Sequence, residues 1–282
     1  MHKLGKDIYT QAGHAGVTVG AIVTTEGIVL VDAPTQPADA DAWLEQVRAL
    51  SSLPIRYLVL TDHHRDRALT ASWFKAPVIV HELAFDKLRI WPESLKPVVS
   101  ETGADTELVA DTAGARLVLP SLTFANRLRL QLGATTVELE HHPGSTPGAT
   151  WVRVVEQDVV FVGDSLVLKQ PPFLAEADLD GWLDQLDQLR KSRSPGKTIV
   201  SGRGGATNKE GIKPFEDTLR VIKRKLEPYA QGRKGRHDLE HLVTELAEAL
   251  HLRGEQRNHF LRRLRHGLEA QFDSQLLASA AR

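Results

Sequence analysis

An apolar run, Ile55 to Leu60, stops abruptly at Thr61-Asp62-His63-His64-Arg65-Asp66-Arg67, and a helical pattern starts directly after it. That boundary constrains the chain more than any other feature. A buried strand ending in a polar loop before a helix fits a layered α/β architecture, and ligands and catalytic groups often collect on such loops. Asp62, His64 and Asp66 alternate, so an extended backbone would aim all three to one side. Carboxylates and imidazole together suit Zn, Mn or Fe. The same residues would also make a polar loop that caps the next helix, and the segment alone is compatible with either.

The rest of the chain repeats the strand-to-loop grammar. From Gly16, Val17 to Val23 and Ile28 to Asp32 flank a Glu26-Gly27 turn, which is a hairpin signal. Pro37 opens a helix in which Trp43, Leu44, Val47 and Leu50 recur at helical spacing. Pro77 to Val80 reads as another strand, and Trp91 to Ala115 as a long covering loop or short helices. Strand signals resume at Arg116 to Leu119, then at Arg127 to Leu132, whose strict alternation implies a half-exposed face. Thr135 to His141, Thr150 to Val155, Val159 to Val162 and Lys197 to Val200 follow, with a Leu179-Trp182-Leu186-Leu189 helix before the last. After residue 207 only helical periodicity remains, divided by Gly232 to Gly235 and by Gly254. The expected organisation is a domain over 1–207 and a helical extension over 208–282.

Composition narrows the chemistry. With 282 residues, 41% of them hydrophobic, the chain can bury a sizeable core. A formal net charge of −1 argues against a global electrostatic footprint for nucleic acid or an anionic membrane. There is no cysteine, so any metal rests on histidine and carboxylates. The N-terminus lacks a signal-peptide core, and no run approaches a membrane span, so a cytoplasmic protein is expected. A basic cluster in the last third (Lys223 to Lys225, Arg233 to Arg236, Arg257 to Arg265) is interleaved with acids and has few aromatics, which reads as solvated helix faces. Nucleic acid is therefore not an expected partner. An apolar stripe on the final helices would support a homodimer.

Four loops stand at strand ends: Thr61 to Arg67, His142-Pro-Gly-Ser-Thr-Pro-Gly148, Phe161-Val-Gly-Asp164 and Ser201-Gly-Arg-Gly204. Their order and spacing resemble the metallo-β-lactamase superfamily of hydrolases, over roughly residues 14 to 207. In that family a His-x-His-x-Asp-His loop comes first, then Pro-Gly-His-Thr-x-Gly, then a strand ending in Gly-Asp, then Gly-His-Gly. The resemblance implies a four-layer αββα sandwich: two facing mixed sheets with helices on both outer faces, followed by the helical extension. Leu60 to His64 also resembles the Asp-His-His motif of a phosphoesterase family, but residues 1 to 55 lack that family's further acidic motifs.

The departures from the family pattern carry the functional argument. Set against the family's loops, the leading His is Asp62, His64 and Asp66 match, and the last His is Arg67. Ser145 replaces the ligand of the Pro-Gly-His loop, Asp164 matches the bridging aspartate, and Arg203 replaces the last imidazole. Arginine stays protonated and offers no lone pair to a metal. Two guanidinium groups beside carboxylates would instead supply the charge of a lost cation, since unpaired carboxylates brought together repel. The expectation is therefore no cofactor, or one weakly held divalent metal (Zn, Mn or Fe) among Asp62, His64, Asp66 and Asp164.

Two functions fit this reading. One is a hydrolase of ester, thioester, lactone or phosphoester bonds, with Asp66 or Asp164 as base and Arg67 and Arg203 stabilising an oxyanion. Arg67, Arg203, Ser145 and His142 would bind a small, anionic substrate. The other is a non-catalytic ligand-binding or interaction protein that has lost the metal centre; a nuclease is the weakest alternative. Arg67 and Arg203 are expected to hold Asp66 and Asp164, whereas His14 and His81 read as structural.

Overall fold

The computed structural model describes residues 1–14, 16–90, 118–168, 170–191, 198–252, 254 and 257–280. The expected covering segment Trp91 to Ala115 lies outside them, as does the start of the strand expected over Arg116 to Leu119. Within the described residues, Val118 and Leu119 are not in a strand. The strand falls instead at Leu122–Phe124.

Among the described residues, thirteen strands form two sheets. The first runs in order β1 (His2–Gly5), β2 (Ile8–His14), β3 (Val17–Thr24), β4 (Gly27–Val31), β5 (Ile55–Val59), β6 (Val78–His81) and β7 (Leu122–Phe124). Neighbours are antiparallel as far as β4 and parallel from β4 to β7. The second sheet runs β13 (Ala206–Thr207), β12 (Thr198–Val200), β11 (Val159–Phe161), β10 (Thr150–Val154), β9 (Thr135–His141) and β8 (Arg127–Leu132). Among the described residues its pairs are antiparallel except β11 with β12, which are parallel. The hairpin β1–β2, before Gly16, has too few apolar residues for the periodicity to show it.

Alternation along each strand sends side chains to two different cores. Val29, Val31, Val59 and Ile79 of the first sheet meet Val137, Leu139, Val152, Phe161 and Val200 of the second. The other face of the first sheet, with Ile28, Leu30, Leu58 and Val80, packs on α1 (Pro37–Leu50) through Trp43 and Val47. The outer face of the second, with Trp151, Val160 and Ile199, packs on α4 (Leu179–Lys191) through Trp182 and Leu186. The short helices α2 (Arg65–Ala68) and α3 (Glu82–Leu88) follow β5 and β6. The result is the αββα sandwich. On β8, Arg127 and Arg129 point out to pair with Glu140 and Glu138, while Leu132 is buried.

Three further helices follow: α5 (Ile212–Ala230), α6 (Leu239–Ala249) and α7 (Arg257–Ala280). They share one apolar cluster with Trp151, Val160, Ile199 and α4, so the extension is built into the outer layer of the second sheet. The stripe expected to support a homodimer is turned inward. Phe260, Leu264, Leu268 and Phe272 are buried in that same cluster. No helix among the described residues is long and apolar enough to cross a membrane.

The two sheets approach closely where β3 faces β11. A Cβ added to Gly20 would lie 2.3 Å from Cε1 of Phe161. Gly20→Val should therefore destabilise the chain by about 1–3 kcal/mol through overpacking. Urea denaturation of Gly20→Val, Phe161→Leu and the double variant should show part of that loss recovered in the double variant. Additive losses would refute the contact.

Candidate functional site

The loops that leave the strand ends of both sheets meet at one edge. From the first sheet come Asp32, at the end of β4, and Thr61 to Arg67, after β5. From the second come Asp164, in the 3-10 turn Gly163–Ser165 after β11, and Arg203, after β12. The chain is extended at His64 (φ −58°, ψ 134°) and turns helical at Arg65. The extended arrangement expected for Asp62, His64 and Asp66 is not formed: the chain bends at Thr61 and Asp62, the His64 N–H donates back to Asp62 Oδ1 at 2.8 Å, and Asp66 and Arg67 project from α2. A buried polar knot fixes the loop. Thr61 donates its backbone N–H and its hydroxyl to the Asp32 carboxylate, each at 2.8 Å.

Asp62, His64, Asp66, Arg67, Asp164 and Arg203 converge. Arg67 turns every guanidinium nitrogen to an acceptor: Nη1 to Asp32 (2.9 Å) and to Thr61 Oγ1 (2.6 Å), Nε to Asp62 (3.1 Å), Nη2 to Asp164 Oδ1 (2.6 Å). Its nearest approach to Asp66 is 4.0 Å. Arg203 Nη2 lies 2.6 Å from Asp66 Oδ2 and 3.1 Å from Asp164 Oδ2, and its Nε donates to the same Asp164 oxygen at 3.1 Å. His64 Nδ1 lies 3.1 Å from Asp62 and 3.2 Å from Asp164. Both arginines are 0% exposed, Asp66 is 0%, Asp62 1% and Asp164 2%.

Charge balance accounts for the protonation states. Burial disfavours charge on His64, but the Asp62 charge and hydrogen bonds to Asp164 and Asp62 outweigh it and raise the imidazole to about 10. Burial likewise opposes ionisation of Asp164, yet Arg203, Arg67 and His64 hold it well below the carboxylate range. Asp32 is the exception. Burial pushes it up to about 6, against the pull of Arg67 and with that of Asp62. Asp164 is thus a weak base with both oxygens engaged.

The remaining candidates stand differently. Ser145 is 2% exposed, and its Oγ is buried without a hydrogen-bond partner. His142 is committed elsewhere: its ring stacks on Trp151 (centroids 3.6 Å apart, 17° between planes) and its Nδ1 lies 2.7 Å from Gln185 Oε1. His81 stacks on His141 at 3.7 Å, and His14 lies 3.8 Å from Asp39. Three residues of the cluster escape a reading of the sequence: Asp32, Phe173 and Arg263. Asp32 is visible there as an acid at a strand end. The other two carry no motif.

The family implied by the four loops uses metal, so the donor set must be tested. A dinuclear centre does not fit, because Arg67 and Arg203 place cationic nitrogens against Asp164 and Asp66 where imidazole donors would be needed. Asp62, His64 and Asp164 offer ligand atoms within 4.8 Å of one another, a set that suits at most one ion.

Removing one partner of this network strands a buried charge. Arg203→Met should cost about 3–5 kcal/mol in urea denaturation. A cost near zero would show that solvent reaches the carboxylates. A second prediction concerns His142. Its imidazole, 3.8 Å away, together with Arg127 and Arg153, holds Glu140 down at about 2 against burial. A depressed carboxylate stabilises the fold above its unfolded pKa, about 4.5, and loses that contribution as pH falls through about 2. Glu140→Gln should be less stable than the unmodified chain at pH 7, and thermal midpoints should converge toward pH 2. A constant difference across that window would refute the pairing.

Comparison with known proteins agrees with the geometry. A metallo-beta-lactamase family protein from Thermus thermophilus superposes with a TM-score of 0.65 at 19% identity, covering 96% of this chain and 95% of that one. A metallo-beta-lactamase from Pontibacter korlensis superposes with a TM-score of 0.58 at 18% identity, covering 78% and 97%. The DIM-1 metallo-beta-lactamase gives 0.60 at 14% identity, covering 78% and 96%. At these identities the likeness shows the fold alone. The sequence profile of the metallo-beta-lactamase superfamily matches residues 12–203, a span that takes in the first three strand-end loops and the fourth as far as Arg203, and the chain belongs to that superfamily.

Proposed function

We propose that this chain is a metallo-beta-lactamase-fold protein in which an internal ionic lock stands where the dinuclear centre would be, and that it works as a non-catalytic binding or interaction protein. The observation that carries this reading is the Asp164 carboxylate. Arg67 takes one oxygen at 2.6 Å, and Arg203 and His64 take the other at 3.1 and 3.2 Å. A general base needs a free lone pair near its operating pH and a route for water. Asp164 is held well below the ordinary carboxylate range and is 2% exposed, and Asp66 is sealed against Arg203. An anionic substrate at Arg67 or Arg203 would have to displace carboxylates that already neutralise them. The basic helix faces are likewise engaged: Lys225 pairs with Glu245, Arg236 with Asp273, and Arg265 with Glu240, which weakens the nuclease reading.

One observation favours a second reading, a hydrolase with a single divalent ion. Asp62, His64 and Asp164 would hold the ion, with the buried, unpartnered Ser145 hydroxyl in the loop where the family has a ligand. Such an ion supplies Lewis acidity. Holding it would require His64 to give up its proton.

Metal content decides between them. The chain dialysed against zinc and then a mild chelator should retain no stoichiometric metal and should not turn over a panel of esters, thioesters, lactones and phosphoesters. The variant Asp62→His, Arg67→His, Ser145→His, Arg203→His should gain zinc. One zinc per chain with turnover in the unmodified protein would establish the second reading, and two would overturn the ionic lock.

A further inference from the structure

Residues 170–177 run as a strap across the cluster, with Phe173 lying directly on it. The ring centroid is 4.7 Å from that of His64, and the guanidinium carbon of Arg203 stands 4.4 Å away. Above Phe173 comes Arg263 of α7, its guanidinium carbon 3.9 Å from the same centroid. The helix then grips the strap along its length. Arg263 Nη1 donates to Gln170 Oε1 (3.2 Å) and to the Pro171 carbonyl (3.3 Å). Gln271 Nε2 donates to the carbonyls of Leu174 (2.7 Å) and Ala177 (2.8 Å).

Between these anchors lies Gly267, where an added Cβ would meet Leu174 Cβ at 2.8 Å. Only glycine lets α7 lie this close. Positions 263, 267 and 271 fall at intervals of four, which places them along one helix face. The strap is also tied on the side of the first sheet. Glu176 Oε1 lies 3.2 Å from His63 Nε2, and its Oε2 lies 2.9 Å from Lys87 Nζ.

We propose that α7 and the strap form a lid over the cluster, lifting as one unit before any solute reaches Arg203, His64 or Asp164. The strap is held by ring contacts, side-chain hydrogen bonds and the packing of Leu174 and Ala177 in the apolar cluster that includes α7, with no strand pairing in residues 170–177. Contacts of that kind open at lower free energy than a sheet. Lifting α7 breaks no β-ladder and uncovers the apolar face that Leu264 and Leu268 bury. Phe173 is the plug, Arg263 its clamp, and Gly267 the point of closest approach. The inference rests on the ionic cluster being the functional site.

Native-state hydrogen exchange read by mass spectrometry tests it on the unmodified chain. Peptides covering 170–177 and 257–274 should open together, at least about tenfold faster than those of β4, β5 and β11. Phenylglyoxal labelling of Arg203, slow in the unmodified protein, should then rise about tenfold or more in Arg263→Gln and in Gly267→Leu. Strap amides that open only with the β-strands, or α7 opening while the strap stays protected, would overturn the lid. So would folded variants that label at the unmodified rate. If Gly267→Leu fails to fold, Arg263→Gln and the exchange on the unmodified chain decide. Metal content does not enter either readout, so failure of the lid and failure of the ionic lock are distinguishable.

Discussion

The Asp164 carboxylate is the constraint around which this edge of the molecule is organised. It enters from the second sheet, and it is met by Arg67 from the first and Arg203 from its own. The pairing therefore joins the loops of both sheets, beside the backbone hydrogen bonds from Thr150 N–H to the Thr61 carbonyl and from Thr18 N–H to the Gly202 carbonyl, each 2.8 Å. Burying so much charge is costly, and the cost is offset only where each ion finds several partners at good geometry. Arg67 meets that condition with contacts to Asp32, Asp62 and Asp164 and to Thr61. A guanidinium group is suited to the task because it stays charged and reaches several oxygens in one plane.

The layers outside the cluster serve its seclusion. Strap and C-terminal helix cover it, and the low dielectric they create strengthens each ion pair while making any lost partner more damaging. The helices after residue 211 thus have two roles that physics links. Their apolar faces complete the core beside Trp182, and one polar face, through Arg263 and Gln271, holds the strap in place.

Much of this is legible in order of sequence. Apolar runs ending in Asp62, Asp164 and Arg203 mark strand ends, and the loop motifs identify the sandwich from sequence alone. The replacement of imidazole donors by Arg67 and Arg203 is enough to raise the idea of cation substitution. Other features are hidden. Asp32 lies 35 residues from Arg67 along the chain, and Arg263 lies 92 residues from Pro171. No periodicity relates such distant positions. The apolar residues Phe260, Leu264, Leu268 and Phe272 pack within their own chain, which the sequence could not show, because periodicity reports that a face is buried and does not report against what.

By itself the sequence determined which faces must be buried, through alternation in strands and three-to-four spacing in helices, while its loop motifs, by their resemblance to the superfamily, implied the layer architecture. It also determined the residue types of the candidate site, since those sit at strand ends marked by composition. The tertiary structure decided how those residues pair. Arg67 chose Asp164, Asp62 and Asp32 over neighbouring Asp66, and Arg203 took Asp66. It decided, too, that Phe173 and Arg263 close the cluster. Pairing and closure depend on distances across the two sheets, and those are fixed only when the sheets pack.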